Sequence, residues 1–319
     1  MDQALGGGPE LGGATAGSMP NASAAGGGVA GVGGLPDDGG SPPITVAGGG
    51  TSGGAGPIPS PGCALANADV PKVEDFTEAK LTAQLVAPAS YDGVTPLPLL
   101  FMLHATNQET DYLKLTGDPA ITQRYLVAAP RAPNSSSGSF ESLPPILTTQ
   151  PIDTLATVLA QLLATHCIDE RRVFGVGNGS GGRALMSWIV THDKATPLPP
   201  FRAVAIVGTY YGRLTWQPTP LLFLHPLLSN NSRAVASDAD GMKAFGIFAA
   251  ANSCGAATTE ASMMGCQAGG MAVEPGCWDI GGCAAPLRFC HHDGPDQAGD
   301  AWPCFGTAAI AQFFEPYLQ

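Results

Sequence analysis

Between Leu97 and Phe314, short apolar runs alternate with segments of helical spacing, and this alternation fixes the fold class ahead of any chemistry. Leu97 to Leu103 (LPLLFML) is apolar almost without interruption, as a central strand covered on both faces must be. Tyr125 to Ala129, Arg172 to Gly177, Ala203 to Gly208, Leu221 to His225 and Pro286 to Cys290 read as further strands. A helix is expected to start at Asp153, placed as the cap of DTLATVLAQLLATH. Others are expected over Gly181 to Val190, Asp240 to Ala251 and Thr307 to Phe314. Such alternation predicts an α/β architecture, a mostly parallel sheet with helices on both faces. Ligand sites in sheets of this kind lie at the carboxyl ends of strands, here marked by His104, Gly177, His225 and Cys290.

The pattern does not extend to the N-terminus. Residues 1–62 hold 21 of the 43 glycines, four acids, and no aromatic, lysine or arginine. Too little apolar surface is available there to offset the entropy of ordering the chain. A disordered Gly/Ala/Pro/Ser-rich tether is expected, with a reach of roughly 40–50 Å, ahead of one α/β domain over residues 63–319. Its glycines come in clusters rather than at every third residue, which excludes collagen. The formal charge of −12 is spread without a basic face, so no nucleic-acid partner is expected. No apolar run is long enough for a membrane span.

All eight cysteines lie beyond the tether, with no CxxC pair and irregular gaps between the last six. That spacing argues against structural zinc and for disulfides in an oxidising compartment: extracellular, periplasmic or cell-surface. Which cysteines pair is not legible. The run Cys290-His291-His292-Asp293 holds metal-ligating types, but adjacent residues rarely point at one ion, and neither metal nor cofactor is expected. The tail lacks the charged and apolar regions of a secretory signal, so export would require a signal, or a lipid anchor, upstream of Met1.

The stretch Gly175-Val176-Gly177-Asn178-Gly179-Ser180-Gly181-Gly182 is a strand–turn–helix junction. Gly177, Gly179 and Gly182 satisfy GxGxxG, but no strand ending in an acid follows at the spacing a dinucleotide site needs; Asp193 falls in a polar loop. The other use of such glycines is the nucleophile elbow, GxSxG, where small residues flank a serine held on a strained turn. The approach Cys167-Ile168-Asp169-Glu170-Arg171-Arg172-Val173-Phe174-Gly175-Val176-Gly177 resembles that of secreted α/β-hydrolase esterases, the polyhydroxybutyrate depolymerase and feruloyl esterase relatives similar to carbohydrate esterase family 1. PLPLLFMLH, LLFLH, Cys290-His291-His292-Asp293-Gly294 and Trp302-Pro303 carry the likeness across most of residues 63–319.

The resemblance implies an α/β-hydrolase fold and ester hydrolysis, with oxyanion-type amides at Ala105, Thr106 and Ser180. It also locates three departures. Gly179 fills the nucleophile slot, with Ser180 one residue late; Ser229 fills the acid slot; and Asp296 stands where the histidine belongs. Asp300 takes that place if the count runs back from Trp302-Pro303, and Ala105 follows His104 where relatives place a glycine. A serine without an adjacent base is a weak nucleophile, and a carboxylate near neutral pH neither accepts nor returns the proton as imidazole does. The expectation is therefore a non-catalytic domain that binds a polysaccharide, a polyester or a surface protein, with Ser180 as a helix N-cap. The alternative is an active esterase built from Ser180, His292 and Asp238, in the Ser…Asp…His chain order.

Overall fold

The computed structural model describes residues 56–65, 73–78, 81–132, 138–140, 150–191, 201–209, 218–226, 238–268, 271–273, 275–292 and 302–319. Residues 1–55, most of the expected tether, lie outside them. The chain builds β1 (Val73–Glu78), β2 (Leu81–Val86), β3 (Leu97–Leu103), α1 (Tyr112–Thr116), α2 (Pro119–Thr122) and β4 (Leu126–Pro130). Next come α3 (Gln150–Thr165), β5 (Ile168–Asn178), α4 (Gly179–Thr191), β6 (Ala203–Val207), β7 (Leu221–Pro226) and α5 (Asp238–Ala251). Short strands β8 (Thr258–Glu260), β9 (Cys266–Ala268), β10 (Met271–Val273) and β11 (Gly276–Ile280) precede β12 (Leu287–His292) and α6 (Gly306–Phe314).

Ten strands form one sheet in the order β1-β2-β4-β3-β5-β6-β7-β12-β11-β8. From β4 through β3, β5, β6 and β7 to β12 every neighbour is parallel. Antiparallel pairs close both edges. The expected apolar runs are the central strands, and their burial on both faces explains why they read without alternation. One face packs Leu155 and Leu159 of α3, Leu185 and Trp188 of α4 and Phe248 of α5. The other packs Leu115 of α1, Ile121 of α2 and Ile310 and Phe314 of α6.

Several boundaries differ from expectation by one to four residues, and three of them bear on the site and its supports. β5 begins at Ile168, four residues ahead of the apolar run, because its first residues are held by polar contacts. α3 begins at Gln150, so Asp153 sits inside the first turn, where its charge favours the helix dipole, and is not the cap. α4 begins at Gly179, so Ser180 is its second residue.

Residues 56–62, read from composition as tether, are fastened across the start of β5, which moves the edge of the folded unit toward the N-terminus. Ser60 N–H donates to the Ile168 carbonyl at 2.8 Å, and Glu170 N–H to the Ile58 carbonyl at 2.9 Å. Ser60 Oγ donates to the His166 carbonyl and accepts from Ile168 N–H. Asp169, buried, accepts from the amides of Ile58 and Arg171 and from Arg172 Nε. Arg172 in turn donates to the Leu318 carbonyl at 3.1 Å, so the Asp169–Arg172 pair ties the strap to Leu318. The residues that carried the family likeness ahead of the glycine turn thus form a clamp.

All eight cysteines pair: Cys63–Cys167, Cys254–Cys283, Cys266–Cys304 and Cys277–Cys290. The first spans 104 residues and fixes the strap covalently. The last joins two directly opposed residues of β11 and β12. Among the described residues no helix is long and apolar enough to cross a membrane.

The Cys63–Cys167 bridge closes the longest loop, so the double Cys63→Ser/Cys167→Ser variant is expected to lose about 4–5 kcal/mol of unfolding free energy. Denaturant titration of the variant against the oxidised wild type measures this. A loss under about 1 kcal/mol would show that the strap's hydrogen bonds suffice without it.

Candidate active site

The turn between β5 and α4 is shaped by backbone contact. A Cβ on Gly177 would lie 2.6 Å from the Gly182 Cα, and one on Gly181 would lie 2.2 Å from the Leu103 carbonyl oxygen. No side chain fits at either place. These two glycines lie two before and two after Gly179, which itself adopts φ +48°, the left-handed region costly for other residues. The contacts therefore centre the elbow on Gly179. A frame centred on Ser180 would require the close approach at Asn178 and Gly182. Asn178 instead points to the opposite face of β5, where its Nδ2 donates to Asp111 Oδ2 at 2.8 Å.

Ser180 follows the apex inside α4. It is 4 % exposed, and its Oγ has no hydrogen-bond partner among the described residues, neither a backbone amide nor an imidazole. That removes the N-cap expectation: the helix has already started at Gly179, and a cap must precede the first helical residue. Of the alternative catalytic set, His292 closes β12 and Asp238 opens α5, with side chains outside the described residues. Ser229 and Asp296, expected in the acid and base slots, also lie outside them, as does Asp300. His225 and His291 are register partners on adjacent parallel strands β7 and β12. The His291 ring stacks on Trp278 at 4.7 Å.

The loop after β3 is organised by His104, which is buried. Ala132 N–H donates to its Nε2 at 3.0 Å, so the proton sits on Nδ1, which contacts the Ala105 carbonyl at 2.6 Å. Burial is the main cause that lowers its pKa below the usual 6.5; the Ala105 carbonyl and the nearby Asp111 and Glu109 charges oppose that shift. A neutral imidazole in a fixed tautomer therefore braces the loop against the end of β4. It is a strut, not a base.

The first amide of the loop faces inward. Gly181 N–H donates to the His104 carbonyl at 3.1 Å. In a trans peptide the following N–H points the opposite way, and Ala105 N–H donates to Asp111 Oδ2 at 3.1 Å. Ala105, expected to offer its amide to an oxyanion, thus has it engaged within the chain; Thr106 is half-buried in the turn that follows. Asp111 is 2 % exposed and also pairs with Lys114, whose Nζ lies 3.0 Å from Oδ1. The Lys114 ammonium rests 5.9 Å from the centre of the Trp302 ring, which links the Trp302-Pro303 segment to the elbow. Asp111 carries no local signal: a lone aspartate after a polar loop reads as solvated. Among the described residues no cluster of side chains is arranged to hold a metal ion.

A parallel sheet of this order, with a strained glycine turn between its central strand and the helix that follows, defines the α/β-hydrolase fold. Solved structures agree. A thermostable esterase superposes with a TM-score of 0.52 at 16 % identity over 76 % of this chain. The match spans 63 % of that esterase's length. An acetyl xylan esterase from Aspergillus awamori superposes with a TM-score of 0.52 at 11 % identity, covering 76 % of this chain and 99 % of that one. At such identities the likeness is one of fold. No protein-family model matches the chain, and no curated protein matches it.

Because His104 is held neutral, its imidazole is expected to remain the Nδ1–H tautomer at about pH 6, where ordinary histidines are largely protonated. Its folded pKa is depressed, so its contribution to stability is present above the ordinary value and lost as pH falls below it. Nitrogen-15 spectra of the ring measure tautomer and midpoint together. A midpoint at or above 6.5 would contradict the assignment.

Proposed function

We propose that the chain is a non-catalytic member of the polyhydroxybutyrate depolymerase and feruloyl esterase-like group that its sequence resembles, and that it acts by binding. The observation that carries this reading is Gly179 at the apex of the elbow with φ +48°. A glycine offers no nucleophile there. The neighbouring Ser180 hydroxyl is buried and makes no hydrogen bond to any described imidazole, so nothing described activates it. The engagement of Ala105 N–H by Asp111 supports the same reading, since an oxyanion needs donors aimed at the reacting atom.

The domain functions outside the cytoplasm: extracellular, periplasmic or at the cell surface. Four disulfides support that compartment. Residues ahead of the strap act as the tether that holds the domain off a surface, consistent with their abundance of glycine and lack of aromatic side chains. A polysaccharide is the favoured class of ligand, with a polyester or a surface protein as the other classes the resemblance brings. One structural neighbour is an acetyl xylan esterase, which fits that preference.

Hydrolysis of a short aryl ester such as 4-nitrophenyl acetate tests the reading. Wild type and Ser180→Ala are expected to match the protein-free background equally. Turnover by wild type that disappears in Ser180→Ala would overturn the non-catalytic reading and restore the esterase.

A further inference from the structure

Three donors from three elements converge on one buried carboxylate beside the elbow. Ala105 N–H just beyond β3 and Asn178 Nδ2 at the end of β5 both donate to Asp111 Oδ2, at 3.1 and 2.8 Å. Lys114 Nζ in α1 lies 3.0 Å from Oδ1. A peptide amide, a side-chain amide and an ammonium around one carboxylate are the set that would bind a free carboxylate through charge-assisted hydrogen bonds. Asn178 shows how strongly the seat is set for an anion. Its amide turns its NH2 to Asp111 and leaves its own Oδ1 buried with no partner among the described residues. The reverse orientation would set two oxygens against each other.

We infer that this is a carboxylate seat whose occupant is the chain's own Asp111, and that the seat takes a small external carboxylate once that side chain is removed. The inference rests on the non-catalytic reading of the elbow, and it names the residue that keeps the Ala105 amide from a substrate carbonyl. With Asp111 in place the Ala105 amide, one of the expected oxyanion donors, is already taken. Asp111 is in this sense a positioning residue, which holds Ala105 N–H and Asn178 Nδ2 in one arrangement beside the elbow.

Asp111→Ala in the full-length chain vacates a space of carboxylate size with its three donors unpaired. Sodium formate at about 100 mM is expected to raise the unfolding midpoint of this variant by about 3–6 °C over equal sodium chloride. Wild type should gain nothing over chloride. Acetate, whose methyl group meets the alanine Cβ, should act less than formate. No formate-specific gain in a variant that circular dichroism shows to be folded, or an equal gain in wild type, would overturn the inference. Should the variant fail to fold, amide hydrogen exchange of the unaltered protein decides: Ala105 N–H is expected to be strongly protected, and exchange at the rate of an open loop overturns the seat. Ser180-dependent ester hydrolysis would sink the non-catalytic reading and the withholding role of Asp111 with it, whereas a missing formate response sinks the carboxylate seat and leaves the non-catalytic reading standing.

Discussion

The backbone of α4 touches those of β3 and β5 across Gly177, Gly181 and Gly182, and the carboxyl edge of the sheet is placed by that contact. A single methylene at any of the three meets atoms within 2.2 to 2.6 Å. Interiors are close-packed and have no room to absorb such an overlap cheaply. The contact draws the N-terminus of α4 against the end of β3, so that Gly181 N–H reaches the His104 carbonyl. It also forces the chain through a left-handed residue at Gly179. In a hydrolase that strain serves to lift a nucleophile out of the turn. Here the strain is relieved by glycine and the lifted side chain is absent, so the geometry persists without the group it would present.

Most polar groups around that contact are satisfied from within the chain, the described exceptions being Ser180 Oγ and Asn178 Oδ1. His104 spends both ring nitrogens on bracing its own loop. Asp111 takes the amide of Ala105 and the side chain of Asn178 and is balanced by Lys114. A buried carboxylate is tolerable only when paired and hydrogen-bonded in this way. Farther from the elbow, Asp169 and Arg172 play the corresponding part at the opposite end of β5, where they hold the N-terminal strap and the C-terminus to the same strand. The central strand is thus pinned at both ends by buried aspartates, one beside the site and one remote from it.

Much of the fold was legible because its signal is local. Central strands such as Leu97–Leu103 are apolar on both faces, and α4 follows a glycine turn whose spacing states its own geometry. The hairpin β1–β2 escaped notice because Val73–Glu78 mixes acids with apolar residues, and β8 to β11 are short runs among cysteines and glycines. Composition placed residues 56–62 in the tether, since no local pattern reveals that Ser60 and Ile58 find partners more than a hundred residues away. At the site, the apex glycine could be read from the resemblance, which sets Gly179 in the serine slot of GxSxG. Asp111 could not, because its burial depends on β5 and α1 meeting in space. The same holds for Ser180, which local propensity assigned to a cap and the tertiary contact drew into the helix.

The central claim is that this elbow has the form of a hydrolase turn and no activated serine. Intact mass measured after prolonged incubation with a fluorophosphonate, a reagent that labels serines activated by a base, tests it most directly. The protein is expected to keep its unmodified mass, equal to that of Ser180→Ala treated in parallel. A stoichiometric phosphonyl adduct mapped to Ser180 would contradict the account.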